Sequence, residues 1–591
     1  MTHNTNSKLY SSRIGFCVII IVLVLVANSA TLISRAQPNA APARDSADRA
    51  SLTAASQTSS CVIYQKEGGA ACRNSSPEES LAIMRRDTTR ELQSITPPSL
   101  QAANGLQIIL RATPALEANA QAKAAFVRAA DLWASRIQTP TTVVIDVDFG
   151  PTWFGDPFPQ NVIGISNPQM LIALGHYFTV LDHLMESATT SHERELYNAL
   201  PTITNVPTDL GETSSVLAPS SVFRTLGMIQ ADPTLDPPNY GPPPAIGFNS
   251  AMNFDFDPSD GIDAGKYDFE AVVSHEIGHI LGFVSAVGQR EINPNCDLAV
   301  TVWDLFRLRP GASMSMLATA DRILTSGGAQ VFYEGKTELQ LSTGRPDGSG
   351  GDGLQPSHWR DDSVVGQRIG IMDPTIASGT RETITFNDLE AIDLFGYTLK
   401  PFGNNIPKIN ALSADLNSDV LTVSGAAVDA DGDVVQVEAR FLDSKGAQIA
   451  QTAPFPANVG IATSFSLRLR FTGLNGLAAA TQVSAVLIDS HGNRSGPMTA
   501  DFSGGDPGAV KLNEASYENG RLLIRGKRLT PDSVVEINGV IIAPPESVSV
   551  TINGKKLTIT APKANLNLHD GPNRVRVIAG GLRSSLLVMS L

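Results

Sequence analysis

Five consecutive residues, His275-Glu276-Ile277-Gly278-His279, carry the strongest chemical signal in this chain of 591 residues. On a helix, positions four apart share a face and lie about 5.4 Å apart along the axis, so both imidazoles can reach one ion. Zinc takes imidazole nitrogen at about 2.0–2.1 Å and lowers the pKa of bound water towards about 7. Glu276, next to the first histidine, is placed to take a proton from such a water and pass it to a leaving amine. Chance produces this pattern in on the order of one chain in a hundred of this size. The context argues against chance. Asp268 is a helix cap, Phe269, Val273, Ile277, Ile280 and Leu281 form an apolar back face, and Gly282 follows as a stop.

A catalytic zinc usually takes three protein ligands and leaves one position for water. The best third ligand is His358, in Ser357-His358-Trp359, the only histidine between His279 and His491. Its rivals are the carboxylates Glu291, Asp297 and Asp304. Gly348-Ser-Gly-Gly-Asp-Gly353 gives the chain freedom to bring His358 back. His176, His183 and His192 precede the motif without ligand spacing and read as ordinary helix or loop residues.

With Gly282 the motif becomes HExxHxxG, which resembles the metzincin signature, although Ser285 stands where a third histidine would normally be. Ser357-His358-Trp359, followed fourteen residues on by Met372 in Gly370-Ile-Met-Asp-Pro374, resembles leishmanolysin-type metzincins. There the distant histidine is the third ligand and a Met-turn lies beneath the metal. The stretch 105–400 is also similar to secreted bacterial HEIGH-type zinc metalloproteases, through Asp268-Phe-Glu270, 275–283, 357–362 and 370–374. The resemblance implies zinc bound by His275, His279 and His358, Glu276 as general base, and Met372 as an apolar floor. Pro374 occupies the place of the astacin-type tyrosine, so no tyrosine ligand is expected.

The elements that must hold these residues read as α+β. Strands are expected at 106–110, 141–149 and 245–256, helices at 118–137, 168–184, 268–282 and 384–397. Thr385 with Asp388 forms a capping-box-like start to the last helix. Beyond 400, period-two alternation such as Val435, Val437, Ala439 and Phe441 against Gln436, Glu438 and Arg440 indicates half-buried antiparallel strands. The expected order is a signal peptide at 1–36, a mature N-terminal segment at 37–104 (pro-segment or linker), and a metzincin-like zinc metallopeptidase domain at 105–400. Two all-β immunoglobulin-like sandwiches follow, at 401–505 and 506–591, the second resembling IPT/TIG modules.

Residues 14–27 are a continuous apolar run of 14 after Lys8 and Arg13, short for a membrane span and suited to an export signal cleaved after Ala36; an uncleaved anchor is the alternative. Cys61 and Cys72 can pair in an oxidising compartment, leaving Cys296 over. The net charge of −14 and the absence of a basic run disfavour nucleic acid and anionic lipid as partners. Asp429, Asp431 and Asp433, and likewise Asp255, Asp257 and Asp260, are candidates for calcium or plain solvated turns.

The expected function is therefore a secreted or cell-surface zinc metalloendopeptidase acting on proteins or peptides. The 245–256 strand would pair with extended substrate, and the β-modules would bind surface or matrix components. Two alternatives stay open: an adhesion protein with a catalytically silent zinc domain, and a zinc hydrolase of non-peptide substrates.

Overall fold

The computed structural model describes residues 52–591 except 56–59, 67–68, 85, 87–91, 98–104, 203, 259–260, 346–349, 367, 418–419, 444, 458–463, 472–479, 502–509, 543–547, 551–553, 581 and 585. The expected export signal and Asp260 thus lie outside the described residues. The architecture is mixed α and β, rich in sheets, with one large core spanning Leu52 to Tyr397 and two smaller ones beyond it. Among the described residues no helix is long and apolar enough to cross a membrane.

The principal sheet of the first core is built from β1 (Cys61–Lys66), β2 (Gly69–Asn74), β3 (Gln107–Ala112), β4 (Thr142–Gly150), β5 (Val162–Asn167), β6 (Ala245–Asn249) and β7 (Thr375–Ala377). Their order is β7-β2-β1-β5-β6-β4-β3, with the short strand Gln93–Ser94 at the far edge. β3, β4 and β6 run parallel, and the strands from β6 to β7 pair antiparallel. The last six residues of β4 are all buried, Asp146 and Asp148 included, and Asp146 is paired there with Arg86 and Arg111.

Two helices pack on this sheet. Helix α1 (Ala120–Ala134) starts at Asn119, whose side chain accepts from the Ala122 amide, and it buries Phe126, Ala129, Ala130 and Trp133. Helix α2 (Phe269–Leu281) carries the motif, begins at Asp268 and is buried along its whole length. Trp133 Nε1 donates to the Ser274 carbonyl at 2.9 Å, and Phe126 meets Phe269 edge-on at 5.4 Å, so α1 fixes α2 in place. The aromatic rings of Phe149, Phe248, Phe254 and Phe256 surround Phe269 and anchor the N-terminal end of α2. Helix α3 (Phe386–Asp393) has the expected capping box from Thr385 and Asp388.

Three expectations need adjustment. The stretch 168–184 is a buried strand, Met170–Ala173, and then a helix, Tyr177–Ser187. The stretch 245–256 breaks at a turn after Asn249, and both edges of β6 are occupied, by β4 and β5, so it has no free edge for a substrate strand. Within 37–104, Cys61–Lys66 and Gly69–Asn74 pair as two strands near one edge of the sheet, between β5 and β7.

Beyond residue 400, β8 (Lys408–Asn417), β9 (Val420–Val428), β10 (Val434–Leu442) and β11 (Gln482–Asp489) enclose one core, and strands from Lys511 onward enclose the other. The last strand, β12 (Leu587–Ser590), pairs with β8, Leu412 opposite Val588, so one sheet runs through both β-units.

Candidate metal centre

Helix α2 brings His275 and His279 to one side, their rings 5.0 Å apart. The third ring, His358, lies 4.9 Å from His275 and 4.8 Å from His279. The hydrogen bonds decide how these rings present themselves. His275 Nδ1 meets the Ile371 carbonyl at 2.8 Å, His279 Nδ1 the Phe283 carbonyl at 2.7 Å, and His358 Nδ1 the Gln355 carbonyl at 2.9 Å. A carbonyl only accepts, so each Nδ1 carries the proton and each Nε2 presents a lone pair. His275 Nε2 and His358 Nε2 then face each other as two acceptors at 2.9 Å, and His279 Nε2, buried, has no hydrogen-bond partner. Converging lone pairs repel one another unless a cation sits among them. Burial drives all three imidazoles towards the neutral, ligating form, that of His279 down to about 4, and their mutual proximity pushes His275 and His358 the same way.

Glu276 is fully buried beside the rings, its Oε2 without a partner, and burial pushes its carboxyl up to about 8. Met372 lies directly beneath α2. A Cβ on Gly278 would run into Met372 Sδ, so the glycine in the motif is what allows this approach.

Ser285 and His358 are connected. The Ser285 amide donates to Ser357 Oγ at 3.0 Å, and Arg307 Nη2 donates to the Pro356 carbonyl at 2.5 Å, docking the His358 segment against the chain that leaves α2. Asp304 is spent on this loop: it accepts from Ser285 Oγ at 2.8 Å and from the Ala286 amide at 2.8 Å, and pairs with Arg307. Glu291 accepts from the Ser326 amide. Among the described residues neither Glu291, Asp297 nor Asp304 joins a group with the motif histidines.

Asp388 is the residue that sequence reasoning missed in this role. Beyond capping α3 it accepts from Trp359 Nε1 at 2.8 Å and from the Ile371 amide at 2.7 Å. It thereby holds the neighbour of His358, the carbonyl that orients His275, and the backbone of Met372. Its one legible signal was the capping box. Loss of such a partner behind a ligand typically costs about 10–100-fold in metal affinity. We expect Asp388→Ala to lose metal affinity by about that factor. Unchanged affinity in competition with a chromophoric chelator would contradict this role.

The sequence also did not disclose what covers the centre. Cys61 and Cys72 form a disulfide across the β1–β2 hairpin. Cys61 Sγ lies 3.7 Å from Glu276 Oε1, and both sulfurs lie within 4.8 Å of imidazole nitrogens of the cluster. All three histidines, Glu276 and both cysteines are buried. In the disulfide the sulfurs carry no thiolate, so the histidines are the donors suited to a metal, and the hairpin seals them from solvent.

Compared with known proteins, the chain matches no family model and no curated protein.

Proposed function

We propose that the protein is a zinc-dependent endopeptidase with a metzincin-like catalytic unit. The reading is carried by one observation: three buried Nε2 lone pairs, each oriented by a carbonyl behind it, converge beside the partnerless carboxylate oxygen of Glu276. An all-nitrogen set of three neutral imidazoles fits catalytic zinc, with the side covered by the hairpin as the place for water. Zinc bound by His275, His279 and His358 supplies Lewis acidity towards a scissile carbonyl and acidifies water. Glu276 takes the proton from the attacking water at Oε2 and delivers it to the departing amine. Met372 keeps the floor of the site apolar, and Asp388 holds the two segments that orient the rings. The β-units beyond 400 serve as immunoglobulin-like accessory modules, and an export signal at 1–36 delivers the chain outside the cell.

The hairpin bears on how this activity is expressed. It pairs with β5 on one side and β7 on the other, directly over the centre. An extended peptide entering there would hydrogen-bond to the same two strands, as in strand addition. Hydrolysis therefore follows displacement or removal of the hairpin. Limited proteolysis that releases the chain up to residue 104 is expected to raise kcat/KM on a quenched peptide at least about tenfold, the equivalent of about 1.4 kcal/mol. Full activity of the intact oxidised chain, with no gain on trimming, would show that the hairpin obstructs nothing.

A further inference from the structure

A cluster of carboxylates stands where the first β-unit meets the unit before it. The turn 429–433 between β9 and β10 folds back on itself: Asp429 accepts from the Asp433 amide at 3.1 Å and from the Asp431 amide at 3.4 Å. Its carboxylates gather, with oxygens of Asp429, Asp431 and Asp433 within 4.8 Å of one another. Asp433 also belongs to a second such group with Asp489 and His491, at the end of β11. Asp433 is the residue common to both groups.

Asp433 carries the inference. Its side chain is fully buried, and Oδ2 accepts from Ser490 Oγ and lies 3.2 Å from His491 Nδ1. Oδ1 is buried with no hydrogen-bond partner. Asp429 and Asp489 are also buried, at 1% and 2% exposure. Arg136 stands near the three carboxylates and donates to the Asp431 main-chain carbonyl, and His491 Nδ1 faces Asp433 Oδ2, but Asp433 Oδ1 keeps no hydrogen-bond partner. Burial and the neighbouring Asp433 push the Asp429 carboxyl up to about 6. Buried carboxylates facing one another are sustained by pairing or by a metal.

We propose that Asp429, Asp431 and Asp433 bind one calcium ion, with Asp433 Oδ1 as its central ligand. An all-carboxylate set with room for main-chain oxygen and water suits a hard, flexible cation such as calcium. The ion also joins the two units. Asp431 accepts from the Asn405 amide and from Asn405 Nδ2 at 2.8 Å, its carbonyl accepts from Arg136 of the catalytic unit at 2.8 Å, and Arg136 covers the Phe402 ring. Filling the site therefore stiffens the junction at 401–407. The inference is independent of the catalytic reading.

The test uses the full chain carrying Glu276→Gln, which prevents self-digestion, saturated with zinc and stripped of calcium. Calorimetric titration with calcium chloride should show one ion bound with Kd below about 1 mM, a raised Tm, and slower cleavage of the 401–407 junction after Phe402 by added chymotrypsin. Asp433→Asn, which keeps the shape of the side chain, should abolish all three while zinc content stays at one. Two results would overturn the proposal: no calcium binding up to about 10 mM, or binding unchanged in both Asp433→Asn and Asp429→Asn. So would tighter binding of zinc or manganese than of calcium that disappears in His491→Ala, since it would assign a transition-metal site.

Discussion

Glu276→Gln is expected to retain one zinc per chain and to lose peptide hydrolysis by about 10²–10⁴-fold, the range that a positioned acid–base group supplies. The glutamine keeps the shape of the side chain in a fully buried position beside the rings, so the imidazole cluster stays intact. What disappears is a group that can accept a proton at Oε2. The comparison should use chain trimmed of the hairpin, where access to the centre no longer limits the rate. Turnover within a factor of two of wild type, in zinc-loaded protein, would remove Glu276 from the mechanism.

His358→Ala has a different signature. It removes one of three converging lone pairs, so both affinity and activity fall. The loss of affinity should exceed the roughly 10–100-fold that follows from losing a partner behind a ligand. The residue contributes little to the apolar core around it: its ring contacts are His275 and His279, and Trp359, held by Asp388, does the packing. Circular dichroism should therefore stay close to wild type while zinc is lost on dialysis. Full retention of zinc and activity would reject His358 and return attention to carboxylates.

The motif helix was legible because its signals are local. Asp268 and Gly282 bracket it, and the structure begins and ends it at those residues. The strands 107–112 and 142–150 were legible for the same reason, as apolar or β-branched runs between breakers. What the sequence concealed is long-range. Nothing local marks Met170–Ala173 as a strand, because a short apolar run fits a buried helix equally well, and only its pairing with Val216–Pro219 settles it. The Cys61–Cys72 pairing was foreseeable from spacing, but its seat over Glu276 depends on contacts across 215 residues. Asp388 showed its capping role in sequence, whereas its bond to Trp359 spans 29 residues and belongs to tertiary structure.

One measurement bears most directly on the claim that this chain hydrolyses peptide bonds through metal held by His275, His279 and His358. Chain trimmed of residues up to 104 is incubated with casein, then with casein plus 1,10-phenanthroline, then with one equivalent of zinc restored, and the products are sequenced by mass spectrometry. The account predicts cleavage at internal bonds, its disappearance on chelation, and its return with zinc alone. Trimmed, zinc-loaded wild-type protein that leaves casein and a peptide library intact would contradict it, and would leave a zinc-binding protein without this chemistry.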